Sequence, residues 1–405
     1  MSWFVLLVSM VAAAASADPA PPADAKLEVP PAVLKEFQAI EALVGKSAYA
    51  EAGRKIEVLL PQLKDAPAAR ALLLRNQAAL FGMQKHYAHA AMILEECLAM
   101  HSLSETDSGK AMFELAQYYV AAENYPKAAN ALGEWIGKSS AAKPEHHLML
   151  ADLQTRLNRH ADAAASMEIA IAASPRPKPE WYQLLVGLYH EQHDLDHCAR
   201  VLAALIEQNP GQALYWSQLT GVYQEAGKLK QALAVQQLMY KNGLLTKPAE
   251  ILQLAQVLRY QGLSVRAAEL LQLEIEKGRV EPSARNLGLT ADLWLEAKEL
   301  RKAAATLEKS LAVSYSGDGQ HRLGQIYSEL HEWSKAQQAL SRALADGGLK
   351  NPGGAYLLLG LAHYRTNAKD RAREAFGKAL ASPSVRNTAK RWLEHIEKES
   401  GRNRG

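Results

Sequence analysis

Apolar and small residues recur along this chain in a fixed order. In the clearest stretch Trp216, Leu219, Thr220 and Tyr223 stand at i, i+3, i+4 and i+7, which is one stripe of an α-helix. Gly227 follows, and then Ala232 and Met239 mark a second helix. The same order runs through Tyr182, Leu185, Val186, Tyr189, Cys198, Leu202, Leu205 and Pro210. Further copies are His147, Leu150, Ala151, Gln154, Ala163, Met167, Ala170 and Pro175, and Tyr356, Leu359, Gly360, His363, Ala372, Phe376 and Ala379 with Pro383 behind. Each copy predicts a helix, a turn and a second helix, and neither helix can bury its stripe alone.

Sliding this template along the chain puts the first small residue of the second helix at Ala52, Ala90, Ala128, Ala163, Cys198, Ala232, Ala267, Ala303, Ala336 and Ala372. Nine to ten units fit. The first two are loose, and in the seventh and eighth only Leu254 and Trp294 are strong first-helix anchors. Pro144, Pro175, Pro210, Pro248, Pro282, Pro352 and Pro383 sit at or near the junctions, where helices stop or start. A last segment, 387–400, carries Ala389, Trp392, Leu393 and Ile396 at helical spacing and would cap the final apolar face.

This bulky-x2-Leu-small-x2-aromatic-x8-Ala-x3-bulky-x2-small pattern resembles the tetratricopeptide repeat of about 34 residues. The resemblance implies an all-α fold, a right-handed superhelical solenoid of nine to ten helix-turn-helix repeats with a C-terminal capping helix. It covers 33–386, looser over 33–142 and clear over 144–386, followed by a capping helix and basic tail at 387–405. Ala and Leu together make up about a third of the chain, which argues independently against a β-rich fold.

Residues 3–17 form an apolar run ending in Ala15-Ser16-Ala17, the small-x-small pattern of a secretory leader cut before Asp18. The run is shorter than the roughly 20 residues of a membrane-spanning helix. Export to the periplasm is therefore expected, with tethering to the inner membrane by an uncleaved N-terminus as the alternative. The first Cys is Cys97, so the Cys that a lipid anchor needs after the cleavage point is missing. Residues 18–32, rich in Pro and Ala, read as a stiff tether.

Candidate chemistry is sparse. Formal net charge is +3, with 46 basic and 43 acidic residues, which argues against a nucleic-acid partner. Cys97 and Cys198 occupy small-residue positions of second helices and read as buried thiols. The polar run from His190 to His197 contains His190, His193 and His197 and raises metal binding or an enzyme activity as a rival reading. In the repeat register that run is an inter-helix turn, so no metal and no cofactor is expected. No metalloprotease helix, nucleophile elbow, phosphate loop or dinucleotide fingerprint is present, and a non-enzyme is expected.

Function then falls to surfaces. The repeat register turns Asp152, Arg156, Gln183, His190, Gln224, Glu225, Gln256, Arg259, Tyr260, Asp292, His321, Gln325 and Tyr364 toward a first-helix groove. That amide-rich, nearly neutral set suits an extended peptide or a partner helix. A narrower likeness is carried by Trp181-Tyr182-x2-Leu185 with Leu188-Tyr189, Tyr215-Trp216-x-Gln218-Leu219, and Tyr240-x-Asn242-Gly243-Leu244-Leu245. The run Arg322-Leu323-Gly324-Gln325-Ile326-Tyr327, through Trp333 to Gly347-Gly348-Leu349, adds to it. Over residues 180–400 these are similar to periplasmic tetratricopeptide proteins that accompany TonB, ExbB and ExbD. That resemblance implies a non-catalytic adaptor for TonB-dependent uptake, often of iron-siderophores. A cell-wall or secretion-system assembly scaffold and a cytosolic co-chaperone are the other binding roles the pattern admits.

Overall fold

The computed structural model describes residues 31–345, 349 and 351–402. The expected leader with its cleavage point after Ala17, most of the tether, Gly347-Gly348 and Arg404 lie outside the described residues. Among the described residues there are 21 α-helices, one short 3-10 helix at Leu60–Leu63 and no strand. The chain is all-α, a succession of antiparallel helix pairs.

Ten pairs follow one another. They are α1 (Pro31–Gly45) with α2 (Tyr49–Leu59), α3 (Pro67–Met83) with α4 (Tyr87–Ala99), α5 (Glu105–Ala121) with α6 (Tyr125–Lys138), α7 (Pro144–Arg156) with α8 (His160–Ala173), and α9 (Pro179–Glu191) with α10 (Leu195–Gln208). The next five are α11 (Ala213–Glu225) with α12 (Leu229–Lys241), α13 (Pro248–Tyr260) with α14 (Ser264–Glu276), α15 (Ala284–Glu296) with α16 (Leu300–Val313), α17 (Gly317–Glu329) with α18 (Trp333–Ala345), and α19 (Pro352–Arg365) with α20 (Lys369–Ala379). Helix α21 (Arg386–Arg402) closes the array and takes in Arg402. The described residues divide into two compact units, one up to Val201 and one from Leu202, with the boundary inside α10.

Every one of the ten template positions is buried, from Ala52 to Ala372, with none more than 3% exposed. A small side chain there lets the second helix lie close on the first, and the bulky residue four positions on fills the space beside it. That bulky position is Ile56, Leu94, Leu132, Met167, Leu202, Leu271, Leu307, Leu340 and Phe376 in nine pairs, all buried. Both thiols are free and buried. Cys97 donates to the carbonyl of Ala71 at 3.0 Å and Cys198 to that of Val186 at 3.4 Å, each reaching the first helix of its own pair. Burial pushes the Cys97 thiol up to about 11, so it stays protonated at neutral pH.

The turns inside the pairs share one device. Five residues before each anchor the backbone enters the left-handed region, at Ser47, Lys85, Glu123, Asn158 and His193 in the first five pairs. Gly227, Gly262, Lys298, His331 and Asn367 do the same in the rest. This ends the first helix and re-aims the chain in two residues. Between pairs the helices start on Pro at α3, α7, α9, α13 and α19, where a missing N–H leaves no helical bond unmade. Ser104, Ser283 and Ser316 cap α5, α15 and α17 through side-chain oxygens.

In the first unit, Phe37, Ile40, Ile56 and Leu73 form one core, and Leu94, Tyr119, Leu132 and Trp135 form the next. In the second unit the cap does what an end must do. Ile396 of α21 is fully buried with Ala372 and Phe376, and Trp392 stacks on the Phe376 ring at 5.8 Å and 4°. The outward positions of α21, among them Arg386, Lys390, Arg391 and Glu394, remain exposed.

Candidate functional site

The thirteen groove residues all lie on first helices, from Asp152 on α7 to Tyr364 on α19. Several are held by neighbours rather than open to a partner. In the first unit Arg156 pairs with Asp152 at 2.8 Å and lies over the Tyr125 ring. In the second, Arg259 of α13 bonds the Glu296 carboxylate of α15 through Nε at 2.9 and 3.1 Å, and Asp292 of α15 pairs with Arg322 of α17. The Tyr364 hydroxyl donates to Glu399 at 2.9 Å and lies 3.0 Å from His395 Nε2, both on the cap. The Arg259–Glu296 and Asp292–Arg322 contacts run from one first helix to the next and help to fix the spacing of the groove in the second unit. In the first unit Arg75 of α3 does the same, reaching Glu114 and Asp107 of α5.

His190 lies in the last turn of α9, and His193 and His197 are drawn into separate roles in the turn and in α10. His193 is the left-handed residue of its turn. The His197 ring stacks on Tyr189 at 4.7 Å and places Nδ1 2.7 Å from the Asp194 carboxylate. Asp194 also accepts the His197 N–H at 3.1 Å, and these two bonds hold its carboxyl below the usual range. Among the described residues no group of three or more His, Cys, Asp or Glu is placed to hold a metal ion. Of the other groove histidines, His321 is half-buried, and that burial lowers its pKa.

Two groove residues, Gln224 and Tyr260, do come together. They line a cavity of about 230 Å³ in the second unit with Leu229, Ala232, Gln236, Val257 and Gln261. Tyr260 is 90% exposed and Leu229 48%. Gln236 Oε1 is buried there without a hydrogen-bond partner. Sequence reasoning passed over Gln236, although it carries a plain signal. It stands four residues after Ala232, where each of the other nine pairs has a buried apolar side chain.

A second polar exception shows the contrast. Glu274 stands seven residues after Ala267, at the small closing position, and is fully buried. Its carboxylate is charge-paired: Oε1 accepts from the Tyr240 hydroxyl at 2.6 Å and from Arg279 Nη2 at 2.7 Å, and Oε2 is ion-paired with Arg279 Nε. Burial alone would raise the Glu274 pKa, and the bonds from Arg279 and Tyr240 overcome that and lower it. Tyr240 in turn is pushed up to about 12 by burial and by this bond. Glu274 is thus a structural tie between α12, α14 and the loop after it, whereas Gln236 offers an acceptor that the fold leaves unused.

Residues 113–176 and 321–386 match the family model described as tetratricopeptide repeat. One stretch lies in each unit, and each ends beyond its second helix pair, at α8 and at α20. No curated protein matches the chain. Among solved structures, a tetratricopeptide repeat protein from Parabacteroides merdae ATCC 43184 is similar at 15% identity, over 73% of this chain and 98% of that one, with a TM-score of 0.34. Naa15/Naa10 bound to HypK-THB is similar at 13% identity over 92% of this chain and 67% of that one, with a TM-score of 0.43. A MamA protein aligns at 20% identity over 44% and 94% of the two chains, with a TM-score of 0.34.

Proposed function

We propose that this chain is a non-catalytic scaffold that holds an extended polypeptide along the first helices of its second unit. The observation that carries the reading is the Gln236 notch. A buried amide oxygen without a donor loses free energy unless a ligand supplies one. An extended peptide has such a donor at every residue, and Tyr260 and Leu229 flank the acceptor with exposed apolar surface. At about 230 Å³ the notch is smaller than the roughly 300–1,000 Å³ of small-molecule pockets and matches one inserted side chain.

The finer assignment is an exported adaptor in a TonB-type energy-transduction complex, with TonB, ExbB or ExbD as the protein partner. It is supported by the likeness over residues 180–400 and by the leader-like run at 3–17. Affinity capture with the chain lacking residues 1–17 tests both levels. Gln236→Leu restores the residue type of the other pairs, so it is expected to leave thermal stability unchanged or higher while reducing capture of the partner, as Tyr260→Ala also should. Undiminished capture by both variants would overturn the notch, and recovery of partners that never include TonB, ExbB or ExbD would overturn the finer assignment.

A further inference from the structure

The near-zero net charge conceals an asymmetry. Up to Val201 the chain has 23 acidic and 18 basic residues, and from Leu202 it has 20 acidic and 28 basic. The repeat register shows where part of this imbalance lies. Six residues after each anchor is a largely exposed position of the second helix, from which Glu96 and Lys378 also reach Arg70 and the Tyr356 ring on the first helices of their own pairs. In the first unit three successive pairs carry Glu96, Glu134 and Ile169 there, and all three are exposed. In the second unit the last four pairs carry Leu273, Lys309, Arg342 and Lys378 at that position, likewise exposed.

The two rows are complementary when run in opposite directions. Acid, acid, apolar in the first unit meets base, base, apolar in the second. We propose that the outer row of the first unit of one copy docks antiparallel on the outer row of the second unit of another copy, with Glu96 facing Arg342, Glu134 facing Lys309 and Ile169 facing Leu273. Every other alignment that pairs both carboxylates with bases, parallel or antiparallel, sets Ile169 against a base or against nothing, so the apolar match of Ile169 with Leu273 selects the direction and stagger.

Local features favour this occupant. Lys309 and Arg342 have no carboxylate partner among the described residues. Glu96 and Glu134 are engaged only in exposed pairs, with Arg70 at 3.6 Å and Lys138 at 2.6 Å, which contribute little and exchange readily. One turn either side of Glu134 the same face carries Asn130 and Gly137, and either side of Lys309 it carries Ala305 and Ala312. One turn further along, Lys138 and Val313 share these faces, so docking of α6 on α16 must release Glu134 from Lys138. Ile169 is 50% exposed and Leu273 42%, so burial against each other gains what solvent exposure forgoes.

Sedimentation velocity on the full chain tests the proposal. Self-association is expected at low ionic strength, with the apparent Kd rising at least tenfold between 50 mM and 500 mM salt as the charges are screened, an order-of-magnitude expectation. Glu134→Lys and Lys309→Glu should each leave the chain monomeric with an unchanged far-ultraviolet circular dichroism spectrum, since both positions are exposed. Combining the two restores the pair with reversed polarity and should restore association. Glu134→Gln, which keeps the side-chain shape, should give an intermediate loss should either charge reversal disturb folding. A wild-type chain that stays monomeric at every concentration, or a double variant as weak as the single ones, would overturn the proposal.

Discussion

The Tyr327 hydroxyl of α17 donates to the Glu308 carboxylate of α16 at 2.6 Å, and in the first unit Tyr189 of α9 donates to Glu168 of α8 at the same distance. The tyrosine stands nine residues before its anchor and the glutamate five after the preceding one, so one register rule makes the same bond in both units. Tyr119 of α5 and Glu95 of α4 repeat it. Each bond ties one helix pair to the next. Tyr327→Phe keeps the ring and removes the donor, so it should destabilise the fold by about 1.5–3 kcal/mol, the range for a hydrogen bond to a charged group. Urea unfolding followed by circular dichroism reads the loss, and a change within error would show that the bond contributes nothing net. The bond and burial both raise the Tyr327 pKa, so its folded value lies above the unfolded one. The stabilisation is therefore present at neutral pH and is lost only as alkaline pH rises through the folded value.

The left-handed turn residues predict opposite effects for opposite substitutions. A Cβ added at Gly227 or Gly262 would meet no atom within 4 Å, so any penalty comes from the backbone conformation alone. Gly227→Ala should lower stability by about 1 kcal/mol. Lys298→Gly, at the same position of another pair, should gain a fraction of that, because glycine relieves the strain but loosens the unfolded chain. Thermal melts of the two variants side by side decide it, and a common sign would refute the account.

Gly360 marks a close approach between the two helices of the last pair. A Cβ on Gly360 would lie 2.6 Å from the Phe376 ring, which is fully buried, so that ring cannot swing away. Gly360→Ala should therefore cost about 1–3 kcal/mol by overpacking. Adding Phe376→Leu makes room and should recover part of the loss, giving a coupling energy in a double-mutant cycle. Additive losses would mean that the two side chains do not compete for space.

Glu274 gives a pH dependence whose sign is fixed. Its pKa is lowered in the folded chain, so its bonds stabilise the protein above the ordinary carboxylate range and fade as pH falls through the lowered folded value. Glu274→Leu should remove that acid-side slope while leaving Arg279 and Tyr240 without their acceptor. Measured at pH 7, the loss should be about 3 kcal/mol, the lower end for breaking a buried pair, because Arg279 is 37% exposed. An unchanged stability-against-pH profile in this variant would place the acid-sensitive group elsewhere.

Much of the fold can be read from ten positions in the sequence. A small residue every 33 to 38 positions is meaningful only if a helix pair repeats, and all ten of these residues are buried as that requires. The capping role of 387–400 follows likewise from Ile396 and Trp392. The left-handed turns are visible in sequence where they hold Gly227, but Lys85 and Lys298 give no such sign, because there the turn is imposed by the packing of the two helices it joins. The groove is less legible. Arg259 reads as a groove residue by register, yet its partner Glu296 is 37 residues away, and only the superposition of successive first helices brings them together. Gln236 was readable in principle as a polar residue in an apolar column; what the sequence does not contain is whether the fold satisfies it, as it does Glu274.

The cap on Phe376 also bears on how long the protein lasts. Bonds such as Tyr327 to Glu308 and Tyr364 to Glu399 join only adjacent elements, so loss of order can travel inward from an end one pair at a time. Helix α21 holds that end shut through Ile396 and Trp392. Its detachment, rather than global melting, is the local opening that limited proteolysis would report first.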